Sequence, residues 1–196
     1  TVPLINMESN VWHPCQGLGD TMTIKEKLGN PRGKKFVLTW AYHPKALPMA
    51  VPNSQILAAC DLGMNTVVVY PKGWDLDPQI MKTVQKRAEK AGGSLGFTNS
   101  MEEAFKNAHV ICAKSWGALK YYGQWEKEKE IKKNLKHWIV DDNKMSLTHN
   151  AYFMHCLPVR RNIEVTDKVI DSKQSIIVDQ AENRMWAQMA LLLKII

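Results

Sequence analysis

The sequence predicts an α/β fold in which a doubly wound, mostly parallel sheet carries helices on both faces. Short apolar runs alternate with amphipathic segments along the chain, and no internal repeat interrupts this alternation. Hydrophobic residues make up 45% of the chain and charged residues 23%, which is typical of a globular domain. At 196 residues the chain has room for one well-buried core. We therefore expect residues 1–196 to form a single domain.

Strands are expected where short runs rich in β-branched and aromatic residues stand between turn signals. Most of these runs are apolar throughout, as in strands that are buried on both faces of a parallel sheet. In chain order the expected strands are Lys35–Trp40, Asn65–Tyr70, Ser94–Thr98, His109–Ala113, His137–Val140, Ala151–Met154 and Ser175–Val178.

Helices are expected where a capping residue precedes a periodic apolar pattern. Pro14, Asp77 with Pro78, Ser100 with Glu103, and Thr166 mark four such starts. Asp179 and Glu182 resemble a capping pair for the last helix, which would place Arg184 in its first turn. An extended opening, Thr1 to Met7, precedes the first helix, and a proline-rich loop runs from Ala41 to Pro52. The expected helices are Pro14–Gly29, about Asn53 to Gly63, one from Pro78 to before Gly92, one carrying Ala104 and Phe105, Gln124–Lys136, Asn143–Thr148, one from Thr166 to Ile170, and Ala181–Ile196.

Composition narrows the classes of function. The formal net charge of +7 suits a nucleic acid or an anionic small ligand, but lysines are spread over many segments, so nucleic-acid binding rests on charge alone. The four cysteines lie far apart without a CxxC pair, which disfavours a zinc ribbon or a disulfide framework and makes a reducing cytoplasm the default location. No GxGxxG follows the first strand, and no apolar run has the length of a membrane span. We expect no metal, no organic cofactor, no nucleic acid and no membrane partner.

One turn concentrates polar and reactive side chains. The stretch from Met154 to Asn162 follows an expected strand and contains His155, Cys156 and two arginines. In open α/β sheets, ligands bind at the carboxyl ends of the strands, so these side chains are candidates for a site. The alternative is a core histidine and cysteine beside solvated arginines, and the turn alone does not decide between the two.

Three further positions have the same double interpretation. His13 precedes a helix whose first turn holds Gln16, where backbone N–H groups have no partner inside the helix. Lys114 follows a buried strand, and Arg184 lies just past another strand end. Each alone also fits an ordinary helix entry or a surface cation. Two strand ends that converge with basic groups favour an anionic ligand.

Taken together, four motifs resemble the aspartate/ornithine carbamoyltransferase superfamily in order and spacing over nearly the whole chain. They are His13-Pro14-Cys15-Gln16, Lys114-Ser115-Trp116-Gly117-Ala118-Leu119, residues 155–162, and Ala181-Glu182-Asn183-Arg184. The second motif resembles N-acetylornithine and N-succinylornithine carbamoyltransferases of arginine biosynthesis, because ordinary ornithine enzymes carry a Ser-Met-Gly loop that this chain lacks. The resemblance implies the Rossmann-like second domain of these enzymes, with a knot near the proline-rich loop.

The resemblance also implies catalytic roles. His13 and Gln16 would hold the carbamoyl group of carbamoyl phosphate, and Arg184 would add positive charge at the same place. The backbone carbonyls of Cys156 and Leu157 would orient the carbamoyl amino group and the attacking amine. Cys156 is then not a nucleophile.

A second group of residues is implied to bind the acylated ornithine. Glu8 and Lys114 would contact its α-amino-acid end, and Trp116 and Arg160 belong to the motifs around it. Glu164 occupies the position of a carboxylated lysine in some N-acetylornithine enzymes, where it would supply a carboxylate without modification.

The superfamily further implies partners. Its N-terminal domain carries a Ser-x-Arg-Thr phosphate-binding motif that has no counterpart here, so we expect this chain to be the second half of a homotrimeric enzyme, with little activity alone. Its last helix would then leave Met185, Met189, Leu192 and Leu193 exposed. Two alternatives remain: a carbamoyltransferase for another amino acid, and a non-catalytic amino-acid-binding domain.

Overall fold

A parallel five-stranded sheet forms the centre of the molecule, in a computed structural model that describes residues 2–195. Thr1 and Ile196, at the ends of the expected opening segment and last helix, lie outside the described residues. The expected α/β fold with a doubly wound sheet is confirmed. The strands, in the spatial order β3-β2-β1-β4-β5, are β1 (Lys35–Trp40), β2 (Asn65–Val69), β3 (Ser94–Thr98), β4 (Val110–Lys114) and β5 (Tyr152–Met154).

Eight α-helices are described within residues 2–195. α3 shows how they are delimited: the Asp77 carboxylate accepts from the N–H groups of Gln79 and Ile80, and Gly92 ends the helix at a φ of 77°. The helices are α1 (Pro14–Leu28), α2 (Ala50–Asp61), α3 (Pro78–Ala91), α4 (Met101–Phe105), α5 (Trp125–Lys132), α6 (Asp142–Met145), α7 (Asp167–Ile170) and α8 (Ile177–Ile195).

The strand order places a topological switch point between β1 and β4. The chain builds outward from β1 through β2 to β3, then returns to add β4 and β5 on the other side of β1. α2 and α3 of the first half pack against each other, and α4 and α6 pack against each other after the chain returns. α8, which follows the last strand, packs on α1, and α1 also contacts α2. Trp40 pairs with Lys114, so both strands end at the same edge. Ligand crevices of open α/β sheets form at such a switch point.

A cluster of buried tryptophans lies beneath this edge. Trp40 is fully buried and meets Trp74 and Trp138 edge-on, with ring centroids 5.8 and 6.1 Å apart. Trp40 Nε1 donates to the Trp116 carbonyl at 2.9 Å, and Trp116 Nε1 donates to the Trp74 carbonyl at 2.8 Å. These buried donors are therefore satisfied, and they fix the loop that follows β4.

Two expected strands are absent from the sheet in the described residues. Within His137–Val140, Val140 makes only an isolated bridge to Val165, because its backbone partners lie in a loop and not on a sheet edge. Within Ser175–Val178, only Ser175 bridges to Phe153 before the backbone turns into α8. Both predictions of sheet strands were wrong.

The last helix begins earlier than expected. The Ile176 carbonyl already accepts from the Gln180 N–H at 2.9 Å, so α8 starts at Ile177. The expected capping pair was wrong, since Asp179 lies inside the helix and pairs with Lys27 at 2.5 Å. Arg184 consequently lies beyond the first turn.

Another helix start and one expected cap also differ from expectation. α2 begins at Ala50, because Pro52 then falls in the first turn, where its missing N–H is not needed. Thr166 precedes α7, but its hydroxyl makes no capping hydrogen bond. The knot near the proline-rich loop stays a prediction. No helix among residues 2–195 is both long and apolar enough to cross a bilayer.

Candidate active site

His13 caps α1 with its ring. Its backbone N–H donates to Ser54 Oγ at 2.8 Å, and its Nδ1 accepts from the Gln16 N–H at 3.4 Å. Burial and then the charge of Arg184 lower the pKa of His13, which is therefore neutral at pH 7. Because Nδ1 accepts, the single ring proton is on Nε2. His13 thus has one N–H donor that no helix contact uses.

The charges around His13 link it to other predicted positions. Besides Arg184, Glu8 raises the pKa of His13 and Lys114 lowers it. Lys114 is half-buried at the end of β4, whereas Glu8 is exposed in the segment before α1. The fold therefore brings these four residues within electrostatic range of one another, as the sequence motifs predict.

α1 and α8 approach very closely beside these charges. A Cβ atom added to Gly19 would lie 2.8 Å from Arg184 Cγ and 3.1 Å from Arg184 Cα. Only a residue without a side chain fits this crossing. The two helices thereby hold Gln16 and Arg184 at the border of a common cavity.

This cavity has a volume of about 430 Å³. Within the described part of the chain, Gln16 Oε1 and Arg184 Nε are buried without a hydrogen-bond partner. Such groups are rare in folded proteins, and both are available for hydrogen bonds to a ligand. The cavity is lined by Gln16, His155, Cys156, Leu157, Gln180, Ala181, Arg184, Met185, Gln188, Met189 and Leu192.

The turn after β5 is tied to α8 and to its own loop. The His155 N–H donates to Gln180 Oε1 at 3.0 Å, and His155 Nδ1 lies 2.6 Å from the Cys156 carbonyl oxygen. Burial raises the pKa of the Cys156 thiol, so this group is protonated at neutral pH. A protonated thiol agrees with the expectation that Cys156 acts through its backbone. Leu157 is exposed, and its peptide bond to Pro158 is cis.

Glu164 lies beneath this turn with only 2% of its surface exposed. Its Oε1 is 3.3 Å from His155 Nε2, and its Oε2 accepts from the Arg160 N–H at 2.8 Å. Burial raises the pKa of Glu164, but the hydrogen bond and the attraction of His155 outweigh it and lower the pKa overall. Glu164 is therefore an ionised carboxylate that braces both ends of the turn.

Two residues of this site were missed in the sequence. His43, in the loop after β1, accepts from Arg160 Nε at 2.9 Å through Nε2, so its Nδ1–H donates to the Lys45 carbonyl at 3.1 Å. Burial lowers the pKa of His43, which keeps it a neutral acceptor. Its position just after a strand at the switch point was the available signal. Asp20, buried beside Gln16, gave no such signal.

One predicted residue belongs to the hydrophobic core. Trp116 is fully buried in the core, where its N–H is already used, so its indole supports the loop and does not face the cavity. Among residues 2–195, no group of three or more His, Cys, Asp or Glu side chains is arranged to hold a metal ion.

Comparison with known proteins identifies relatives over almost the whole chain. A family model described as "Aspartate/ornithine carbamoyltransferase, Asp/Orn binding domain" matches residues 48–195. The N-acetylornithine carbamoyltransferase of Xanthomonas campestris pv. campestris is 45% identical over 194 residues, which are 97% of this chain and 57% of the relative. The N-succinylornithine carbamoyltransferase of Bacteroides fragilis is 41% identical over 186 residues, 93% of this chain and 52% of the relative. The chain thus spans little more than half the length of these relatives.

Solved structures give the same result. A crystal structure of acetylornithine transcarbamylase complexed with acetylcitrulline has a TM-score of 0.96 and 44% identity, covering 100% of this chain and 59% of that one. An N-acetyl-L-ornithine transcarbamylase variant complexed with carbamyl phosphate and N-succinyl-L-norvaline matches with the same scores. Together with the family model, these matches show that the chain belongs to the aspartate/ornithine carbamoyltransferase family and contains its Asp/Orn binding domain.

Proposed function

We propose that the protein carrying this chain transfers a carbamoyl group from carbamoyl phosphate to the δ-amine of N-acetylornithine or N-succinylornithine. Residues 1–196 form its amino-acid-binding domain. The observation that carries this proposal is the convergence of Gln16, Arg184 and the turn at Cys156 on one cavity, with His13 and Lys114 in electrostatic range. These groups come from four separate elements at the carboxyl edge of the sheet.

The chemistry requires stabilisation of one developing negative charge. The amine lone pair attacks the carbonyl carbon, the C–N bond forms, and the carbonyl oxygen becomes an oxyanion. The C–O bond to phosphate then breaks, phosphate leaves with the electron pair, and the released phosphate takes up the proton that the amine loses. The Nε2–H of neutral His13 and the guanidinium of Arg184 are donors for the oxyanion, and Gln16 Oε1 is an acceptor for the carbamoyl N–H.

The charges at the site favour an acylated substrate. Acylation converts the α-ammonium of ornithine into a neutral amide, so the α-end keeps its carboxylate and loses its positive charge. Lys114 and Arg160 are cations that suit that anion. A second candidate, ornithine itself, is favoured by the ornithine carbamoyltransferase of Archaeoglobus fulgidus, which is 40% identical across 100% of this chain.

Glu164 supplies the first test. Glu164→Gln keeps the shape but removes the charge that braces His155 and the Arg160 N–H. We expect about tenfold weaker binding of acylated ornithine, since charge-assisted hydrogen bonds are roughly twice as strong as neutral ones. Calorimetry measures this change, and Asp167→Asn, which alters an exposed pair to Arg161, is the control. Unchanged affinity in Glu164→Gln would refute the role of this carboxylate.

Other parts of the proposal concern assembly. A separate N-terminal domain binds the phosphate of carbamoyl phosphate, the active protein is a homotrimer, and it works in the cytoplasm in arginine biosynthesis. The packing of that domain is supported by an apolar patch on α8, where Met185, Met189, Leu192 and Leu193 are 50%, 46%, 43% and 81% exposed.

Substrate choice is tested by calorimetry on the purified chain with N-acetylornithine, N-succinylornithine and ornithine. We expect preference for an acylated ligand and loss of that preference in Lys114→Ala, because Lys114 is the cation at the switch point. Lys120→Ala, six residues further along and exposed, is the matched control.

The full-length protein is then assayed with carbamoyl phosphate. Turnover of an acylated ornithine supports the proposal. Binding without turnover would instead favour a non-catalytic amino-acid-binding protein, and preference for ornithine would favour the second candidate.

A further inference from the structure

Asp20 is a carboxylate buried between α1 and α8, with 2% of its surface exposed. Its Oδ1 accepts from Gln16 Nε2 at 2.7 Å and from Gln180 Nε2 at 2.6 Å. Gln180 in turn accepts the His155 N–H through its own Oε1. One carboxylate oxygen therefore joins two helices directly beneath the cavity.

An ionised carboxylate has no proton to donate, and this determines how both amides are oriented. The NH₂ group of Gln16 must face Asp20, so its Oε1 must face the other way. Gln16 is fully buried, lines the cavity, and its Oε1 has no partner among residues 2–195. The result is a fixed acceptor that suits an N–H donor such as a carbamoyl NH₂.

We propose that Asp20 is a positioning residue that holds the side-chain amide of Gln16 with its oxygen toward the carbamoyl group. This inference rests on the proposed function, in which Gln16 binds that group. Asp20 itself touches no substrate. A Gln16 amide turned by 180° would present NH₂ to another NH₂ and lose the contact.

The charge of the Asp20 carboxylate changes with pH, so its effect on Gln16 can be measured as a pH dependence. Burial raises the pKa of Asp20 to about 6, although the side-chain amides of Gln180, Gln16 and Gln55 and the charge of Arg184 lower it. The other titratable groups that face Asp20 are the thiols of Cys112 and Cys156, which are protonated at neutral pH. The carboxylate is thus ionised above about pH 6 and loses its charge below it.

The test is a double-mutant cycle in the full-length protein, assayed with carbamoyl phosphate and acylated ornithine. Asp20→Asn is isosteric, but its amide can also donate, so the Gln16 orientation is no longer enforced. We expect kcat to fall about tenfold, the loss of charge assistance, with little change in KM for acylated ornithine. The acidic fall in kcat near pH 6 should disappear. In a Gln16→Ala background, Asp20→Asn should change kcat less than about twofold, because the two residues act as one unit.

Several results would overturn the inference. Additive effects of Asp20→Asn and Gln16→Ala would mean that Asp20 does not act through Gln16. If Gln180→Ala lowered kcat as much as Asp20→Asn, Asp20 would act through Gln180 and the turn at His155, and not through Gln16. No effect of Gln16→Ala would remove the proposed role of Gln16 and this inference together, whereas a strong effect with additivity would remove only the inference.

A control and a second measurement separate positioning from stability. Asn183→Ala removes another buried link between α8 and α1, to Thr23 and Glu26, so it should lower Tm without altering the pH profile. If Asp20→Asn does not fold, the wild-type chain is titrated by NMR. The side-chain NH₂ signals of Gln16 and Gln180 should shift together with a midpoint near pH 6, and their independence of pH between 5 and 7.5 would overturn the inference.

Discussion

Replacing His13 with asparagine is expected to lower kcat of the full-length protein by about 100- to 1,000-fold, the usual effect of losing one oxyanion donor. Asparagine is a good N-cap, so its side-chain oxygen can still accept the Gln16 N–H that His13 Nδ1 now accepts. The ring Nε2–H, however, has no counterpart in asparagine. The expected result is therefore a loss of turnover in a protein that stays folded, measured as kcat together with Tm.

His13→Ala is the companion variant. It removes the cap as well as the donor, so it should lose a similar factor in kcat and, in addition, about 1 kcal/mol of unfolding free energy. A His13→Asn protein that keeps more than a tenth of wild-type kcat would contradict the proposed donor role. Because the pKa of His13 is lowered, the neutral ring is already the donor at pH 7. Lowering the pH until this ring is protonated should therefore not raise kcat.

Lys132→Met is expected to destabilise the chain by about 3 to 5 kcal/mol, the typical result of removing one partner from a buried ion pair. Lys132 Nζ lies 2.9 Å from Glu128 Oε1, and both side chains are only 1% exposed. The same ammonium donates to the Lys45 carbonyl at 3.0 Å. Methionine fills the space but leaves the Glu128 carboxylate buried without its cation. Urea unfolding followed by fluorescence measures the loss.

Two controls define the cause. Replacing both partners, with Glu128→Leu and Lys132→Met, should recover most of the stability, because an apolar pair of similar volume is often equivalent to a buried ion pair. Lys133→Met removes an exposed partner of Glu130 one position further along and should change stability by about 0.5 kcal/mol or less. Equal losses of unfolding free energy for Lys132→Met and Lys133→Met would show that the buried Glu128–Lys132 pair stabilises the chain no more than an exposed pair does.

The sequence predicted all five strands of the sheet, but it also predicted two strands that the sheet does not contain. The five strands that pair in the structure were all expected, since each is a short apolar run between turn signals. His137–Val140 and Ser175–Val178 have the same local pattern but meet only a loop or a single bridge. Ile177 and Val178 are β-branched and look like strand residues, yet the Ile176 carbonyl starts a helix there. Local composition cannot show which backbone partners are nearby.

In the site too, residues within motifs were predicted, whereas a residue whose role depends on distant partners was not. His13, Gln16, Lys114 and Arg184 were predicted from motifs, and the fold places them around one edge of the sheet. Asp20 was not predicted, because a single aspartate in an amphipathic helix is usually a surface residue. Its function depends on Gln180, which lies far along the chain and reaches it only through the packing of α8 on α1.

The close crossing at Gly19 has a consequence for how this domain can vary. A methyl group at this position would push against both the side chain and the backbone of Arg184, so the helices would have to separate. Such a separation would carry Arg184 away from Gln16 even if every polar residue were kept. The absence of a side chain at Gly19 therefore sets the separation of α1 and α8, and with it the width of the cavity that they border.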